Sequence, residues 1–358
     1  MSFGQKIAFY WSLLNAMLLL MACWEPVAAQ DDCLIINSQH KQAPSNTPQY
    51  QSLFLAEKKD SELFTESDVL EDDGRDEPLQ FRDLLSARSA IVIDGDSGAV
   101  LYAHDPDKAW QPASTIKILT GLISLRTLNK SEKVMISRKA AEMPRSKIYL
   151  QEGEQYTAGD LVYAVLLASA NDASVALAEK IAGHERIFAK LMTYRAKKMG
   201  ARKTVCKTAT GLTAAGQTST ARDLVLIFEE AMNNPEFAWI MGVSKITTTE
   251  GLELENHNKA LWNLHGAEGG KTGFTLAAKQ TYVGKFCRGR DELIVALMGS
   301  EKMWDDLHYL VTYGFSQKKQ TGYAVLSSLR ASEEKALTYV GWQRFIRSEG
   351  ALAAMDSL

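Results

Sequence analysis

The chain has no basic stripe. Its formal net charge is −3, and no run of lysine and arginine is interleaved with aromatics, which argues against a nucleic-acid partner. Cysteine is scarce, four in 358 residues. Cys23 lies in an apolar amino-terminal run, Cys33 in a polar stretch, and Cys206 and Cys287 stand far apart in sequence. That is no disulfide framework. A Cys206–Cys287 bridge stays open in an oxidising compartment, but two separate buried small hydrophobes are the simpler reading. The six histidines are scattered. No Cys/His cluster has metal-ligand spacing, so neither a metal nor a cofactor is expected.

What is present suits a globular fold. Hydrophobic residues make up 46% and charged residues 23%, enough to bury a sizeable core. Lys6, the apolar run Ile7 to Cys23 and the small residues of Val27-Ala28-Ala29 read as a signal peptide over 1–29. Two rival readings use the same residues. Leu20-Met21-Ala22-Cys23 looks like a lipoprotein box with the lipid on Cys23, although Met21 fits poorly. The run is also nearly long enough for an uncleaved anchor. All three export the chain, and the latter two attach it to a membrane through its amino end.

Residues 30–83 are polar and poorly periodic, with Gln, Pro, Ser and Asn over Gln39 to Ser52 and acids over Glu57 to Glu77. Such a composition buries too little apolar surface to offset ordering entropy. It predicts a flexible acidic linker, either a spacer or a solvated tail.

The folded domain is expected over 84–316. Ala90 to Asp94 and Ala99 to Ala103 flank Gly95-Asp96-Ser97-Gly98 as a hairpin. Thr157-Ala158-Gly159-Asp160 resembles a capping box ahead of a helix from Leu161 to Ala168. Further helices are predicted from Asn171 to Ile181, Glu185 to Met199, Ser219 to Met232 and Trp304 to Tyr313. Strands are predicted from Lys271, over Gln280 to Cys287 and over Glu292 to Met298. Two strands, many helices and three strands suggest an α+β fold with a mixed sheet in which the two ends of the domain meet. The 317–358 tail is expected to be partly helical, over Ser332 to Ile346.

Three short motifs carry chemistry. In Pro112-Ala113-Ser114-Thr115-Ile116-Lys117, serine and lysine three apart open an apolar run and read as the first turn of a buried helix. That spacing stacks both side chains on one face. Burial favours the neutral amine of Lys117, which can take the Ser114 hydroxyl proton and create a nucleophile. Ser169-Ala170-Asn171 follows an apolar helix, and Lys271-Thr272-Gly273 opens a strand. Alone, Ser169 and Asn171 are better read as helix caps, and Lys271 as an exposed strand start. Their conjunction with Ser114 and Lys117, in this order, points to serine acyl transfer.

From Ser86 to Phe315 the chain resembles the D-alanyl-D-alanine carboxypeptidases, the low-molecular-mass penicillin-binding proteins. Gln111 to Ser114, Ala170 to Ala173, Thr210-Gly211-Leu212, Ser219 to Asp223 and Lys271 to Thr275 carry the resemblance beyond the three motifs. It implies a penicillin-recognising serine transferase fold, a mainly antiparallel sheet flanked by helices. It also implies a bacterial envelope protein, periplasmic, that trims peptidoglycan stem peptides in cell-wall biogenesis and binds β-lactams covalently. Ser114 would attack the carbonyl between the terminal D-alanines, with Lys117 as base and Ser169 relaying a proton to the leaving amine. Asn171 would hold the substrate amide and Lys117. Lys271 and Thr272 would receive the terminal carboxylate, Gly273 would admit the substrate backbone, and the N–H groups of Ser114 and Phe274 would form an oxyanion hole.

Departures keep alternatives open. Only about forty residues follow Phe315, too few for the β-sandwich that many relatives add. With Phe274 after the glycine, this is also similar to D,D-endopeptidases that cut crosslinks. A β-lactamase would need a water-activating glutamate in Glu-x-x-Leu-Asn. Glu229 to Asn233 has Met232 instead of leucine and reads as a solvated helix face.

Overall fold

The computed structural model describes residues 81–320. The predicted signal peptide, almost all of the linker, Cys23, Cys33 and the helix expected over Ser332 to Ile346 lie outside the described residues. In chain order the elements begin with β1 (Ser89–Asp94), β2 (Val100–His104), α1 (Lys117–Thr127), β3 (Lys133–Met135), α2 (Arg138–Ala141) and β4 (Gln155–Thr157). A helical block follows: α3 (Ala158–Leu166), α4 (Asn171–Ala182), α5 (Glu185–Lys198), α6 (Ala221–Met232) and α7 (Pro235–Gly242). Then come β5 (Lys245–Thr247), β6 (Glu253–Glu255), α8 (Ala260–Asn263), β7 (Ala267–Thr275), β8 (Lys279–Arg288) and β9 (Asp291–Ser300). The last described element, α9, is helical from 303 through 320.

Five strands form one sheet in the order β2-β1-β9-β8-β7. The two ends of the domain do meet, because β9 pairs with β1. Every ladder of this sheet is antiparallel, which corrects the mixed sheet suggested by element order. The physical reason is connectivity. Tight turns link β1 to β2, β7 to β8 and β8 to β9, and a tight turn reverses the chain. The helical excursion leaves from β2 at one edge and re-enters at β7 on the other, so it never joins parallel neighbours.

Strand alternation sorts the sheet's side chains into two cores. Ile91, Ile93, Ile294, Ala296 and Met298 face the helical block, while Ala90, Val92, Leu293, Val295 and Leu297 face the opposite side. There α9 covers them with Met303, Leu307, Leu310, Val311 and Phe315 at helical spacing. On the other face α1 is the central helix. Every residue from Lys117 to Ser124 is buried, as expected of a helix apolar around most of its circumference. Phe81, in the acidic stretch by composition, stacks on Tyr313 with ring centroids 4.3 Å apart. Order therefore extends at least to that residue.

Local signals explain the helix ends. Thr157 caps α3, its hydroxyl accepting from the Asp160 N–H at 3.2 Å. The reciprocal half of the predicted box is absent, since the Asp160 carboxylate accepts instead from the Thr249 N–H and hydroxyl. Thr220 caps α6 by accepting from the Asp223 N–H. Cys206 is a free, buried thiol, so it does not bridge to Cys287. Burial pushes its pKa up to about 12, which makes it an inert core residue.

Candidate active site

The chain enters α1 through a 3-10 turn, Ala113–Ile116, so Ser114 sits just before the α-helix and not in its first turn. A 3-10 turn eclipses residues three apart. It stacks Ser114 directly over Lys117, whose Nζ lies 2.9 Å from Ser114 Oγ. The sheet pins this turn. Thr281 on β8 and Thr115 both donate to the Pro112 carbonyl, at 2.9 and 2.6 Å. Ala113 holds φ at +49° and Ser169 at +57°, left-handed conformations that cost an ordinary residue about 1–2 kcal/mol each. Such strain concentrates at functional sites.

Lys117 is fully buried and has two obligate acceptors. Its Nζ donates to Thr210 O at 2.6 Å and to Asn171 Oδ1 at 2.8 Å. The Asn171 amide cannot flip, because its Nδ2 donates to the Pro144 and Arg145 carbonyls at 3.0 and 2.9 Å. Burial, followed by the like charge of Lys271, holds the Lys117 ammonium well below the lysine range, with Asp172 opposing. A neutral amine has two N–H bonds and one lone pair. In that neutral form, with both hydrogens directed to Thr210 O and Asn171 Oδ1, the lone pair is left for the Ser114 hydroxyl 2.9 Å away. That is the geometry of a base beside its nucleophile.

Ser169 and Lys271 form a second pair, with Lys271 Nζ donating to Ser169 Oγ at 3.0 Å and to Thr272 O at 3.3 Å. Neither Ser169 nor Asn171 caps a helix. The N-cap of α4 is Ala170, without any side-chain bond, so the bland reading of that motif fails. Lys271 is 1% exposed, and burial brings its pKa down to about 7. It therefore carries charge most fully when an anion joins it.

β7 passes close beside the nucleophile. A Cβ on Gly273 would stand 2.7 Å from the Ser114 backbone nitrogen and 3.0 Å from Ala113 Cβ, so only glycine fits. Thr272 is half-buried beside Lys271, and the Phe274 side chain is exposed. The structure thus joins Ser114, Lys117 and Asn171 in one cluster, and Ser169, Lys271 and Gly273 along its other wall.

Several participants escaped the sequence reading. The Thr210, Pro144 and Arg145 carbonyls are backbone groups, which no side-chain motif reveals. The His257 backbone N–H donates to Leu167 O at 3.2 Å, and the residue is exposed at the rim. Enclosure of its ring, then the charges of Lys271 and Lys117, bring its pKa down to about 4. Together with Tyr149, Ala168 and Trp262 it lines a cavity of about 690 Å³ next to the Ser169 loop. Glu229 takes no part. It lines a separate hollow with Gly95 and Lys285, as a half-buried residue of α6.

This arrangement has counterparts. The sequence model of the D-alanyl-D-alanine carboxypeptidases (Peptidase_S11) matches residues 77–302. The chain is 37% identical over 251 residues to the D-alanyl-D-alanine carboxypeptidase DacB2 of Mycobacterium tuberculosis, covering 67% of this chain and 86% of that protein. It is 35% identical to the D-alanyl-D-alanine carboxypeptidase DacF of Bacillus subtilis, covering 60% of this chain and 57% of that longer protein. Among solved structures, penicillin-binding protein D2 of Listeria monocytogenes in its ampicillin-bound form matches with TM-score 0.60 and 31% identity, over 64% of this chain and 98% of that one. The match spans the nucleophile turn, the Ser169 loop and β7, and with it the chain belongs to the D-alanyl-D-alanine carboxypeptidase family.

Proposed function

We propose that this chain is a serine-type D-Ala-D-Ala carboxypeptidase acting on peptidoglycan stem peptides through an acyl-enzyme on Ser114. The observation that carries this reading is the placement of Lys117, whose Nζ lies 2.6 Å from Thr210 O, 2.8 Å from Asn171 Oδ1 and 2.9 Å from Ser114 Oγ. Ser114 Oγ attacks the carbonyl between the two terminal D-alanines and passes its proton to Lys117. The N–H groups of Ser114 and Phe274 bind the developing oxyanion. Asn171 holds the substrate amide as well as Lys117, and Gly273 leaves room for the substrate backbone against β7. The leaving amine takes a proton relayed through Ser169, so the C–N bond breaks and free D-alanine departs. Water, deprotonated by Lys117, then attacks the ester and restores Ser114. A β-lactam would follow the first half and stall, because its opened ring keeps the leaving nitrogen tethered.

Lys271 and Thr272 receive the terminal carboxylate, and this makes a pH prediction. Burial brings the pKa of free Lys271 down to about 7, and a bound carboxylate favours its protonated form. Binding should be flat below that pH and weaken about tenfold per pH unit above it, as expected when one proton is taken up per substrate. An amidated substrate analogue should bind without this alkaline limb. Saturation kinetics of acylation across pH, with wild type and Lys271→Gln, test the assignment. An alkaline limb that survives in Lys271→Gln would show that another group receives the carboxylate.

The apolar run ahead of Val27-Ala28-Ala29 supports export to the periplasm with cleavage after Ala29. Intact-mass measurement of the protein from its native host should place the amino terminus at Gln30. A lipid adduct on Cys23, or retention of the whole run, would replace this reading with membrane attachment.

A further inference from the structure

The Lys117 lone pair faces Ser114 only while the Thr210 carbonyl keeps its place. That carbonyl belongs to the Thr210–Gly211 peptide. The other end of the same peptide plane, the Gly211 N–H, donates to Thr208 Oγ1 at 3.0 Å. The single hydroxyl proton of Thr208 goes to Gln217 Oε1 at 3.1 Å, which leaves only lone pairs for Gly211. Gln217 is oriented in turn. Its Nε2 donates to Leu212 O at 2.8 Å, while its Oε1 also accepts the Lys207 and Thr208 N–H groups at 3.2 Å each. Gln217 is 2% exposed, so solvent cannot substitute for these bonds.

The bonds run in one direction, from the fixed Gln217 amide through Thr208 to the Gly211 N–H, and across that peptide to the acceptor of Lys117. Two physical effects follow. The peptide plane cannot rotate without breaking the part-buried hydrogen bond between the Gly211 N–H and Thr208 Oγ1. Donation by the Gly211 N–H also polarises the amide and makes the Thr210 oxygen a stronger acceptor. Gly211 closes the arrangement from the other side, since its φ is +78° and a Cβ there would overlap the Ala113 carbonyl. The peptide is thus held between Thr208 and the nucleophile turn.

We infer that Thr208, oriented by Gln217, is a positioning residue for the base: it fixes the Thr210 carbonyl that turns the Lys117 lone pair toward Ser114. This rests on the reading of Ser114 as nucleophile and Lys117 as base. Thr208→Val keeps the side-chain shape and removes the acceptor, whereas Thr208→Ser restores it. The test follows acylation of the full chain by benzylpenicillin under saturation. Burst amplitude gives the active fraction, and saturation separates binding from the covalent step. Thr208→Val is expected to lower the covalent rate constant per active site roughly tenfold, the cost of a misplaced reacting group, with binding unchanged within about twofold. Deacylation should slow by a similar factor, since the same lysine activates the water, and Thr208→Ser should stay within about twofold of wild type. Gln217→Met carries the same expectation at roughly threefold and serves where Thr208→Val does not fold.

A purely structural role would lower the active fraction or melting temperature and leave the covalent rate constant alone. A wild-type rate constant in Thr208→Val, or a Thr208→Ser variant equally slow, overturns the inference. A wild type that forms no adduct at all refutes the reading of Ser114 instead, so the two failures are distinct.

Discussion

Ser114→Ala is expected to form no covalent adduct with benzylpenicillin and to release no D-alanine from a stem pentapeptide. Removing the oxygen removes the hydroxyl that stands 2.9 Å from Lys117 Nζ. Lys117→Ala should come close to the same result. Without the buried amine, the Ser114 proton has no acceptor within bonding distance among the described residues, and a general base contributes about 10²–10⁴-fold. The two residues act as one unit, so the double variant should be scarcely slower than the worse single variant. The fold should tolerate Ser114→Ala, because among the described residues the hydroxyl is hydrogen-bonded to Lys117 alone. Lys117→Ala instead leaves a hole in the core beside Asn171 and Thr210. Melting temperature should therefore fall for the lysine variant and hardly change for the serine variant. Full labelling of Ser114→Ala would place the nucleophile elsewhere.

The second large effect is expected at a residue without a functional group. Gly273→Ala introduces a Cβ 2.7 Å from the Ser114 nitrogen and in collision with the Thr281 hydroxyl. No real Cβ sits so near a backbone nitrogen, so either β7 or the nucleophile turn must move. Overpacking of this kind costs about 1–3 kcal/mol of stability. The catalytic cost should be larger. The displaced N–H is one of the two proposed oxyanion donors, and loss of one donor costs about 10²–10³-fold in rate. Acylation by benzylpenicillin should fall by that order while circular dichroism stays native. A variant that acylates within twofold of wild type would mean that β7 does not press on the nucleophile.

The Ser114–Lys117 pair was legible because it is local. Serine and lysine three apart ahead of an apolar run project to one face in either an α- or a 3-10 helix. Ser169 and Asn171 were ambiguous for a physical reason: both are good capping residues, and only tertiary contacts show that Ala170 caps α4 while they face Lys271 and Lys117. The Thr210 carbonyl was invisible, since any residue type supplies one. Thr210-Gly211-Leu212 stood out only as a family-like sequence. The β1–β2 hairpin and the β8–β9 turn followed from strand patterns bounded by glycine. The β5–β6 pair was missed because each strand is three residues long, too short for a period to register. The direction of the sheet ladders depended on which strands became neighbours, and that is decided by how the helical block returns to the far edge.

The most direct test of the account is to identify the residue acylated by the substrate itself. The full chain is quenched in acid during turnover of a stem pentapeptide, digested, and mapped by mass spectrometry, while free D-alanine is measured in the same sample. The account predicts one D-alanine released per substrate consumed, with the acyl mass lacking that alanine on the peptide containing Ser114. An acyl group on Ser169, or D-alanine release without any acylated Ser114, would contradict it.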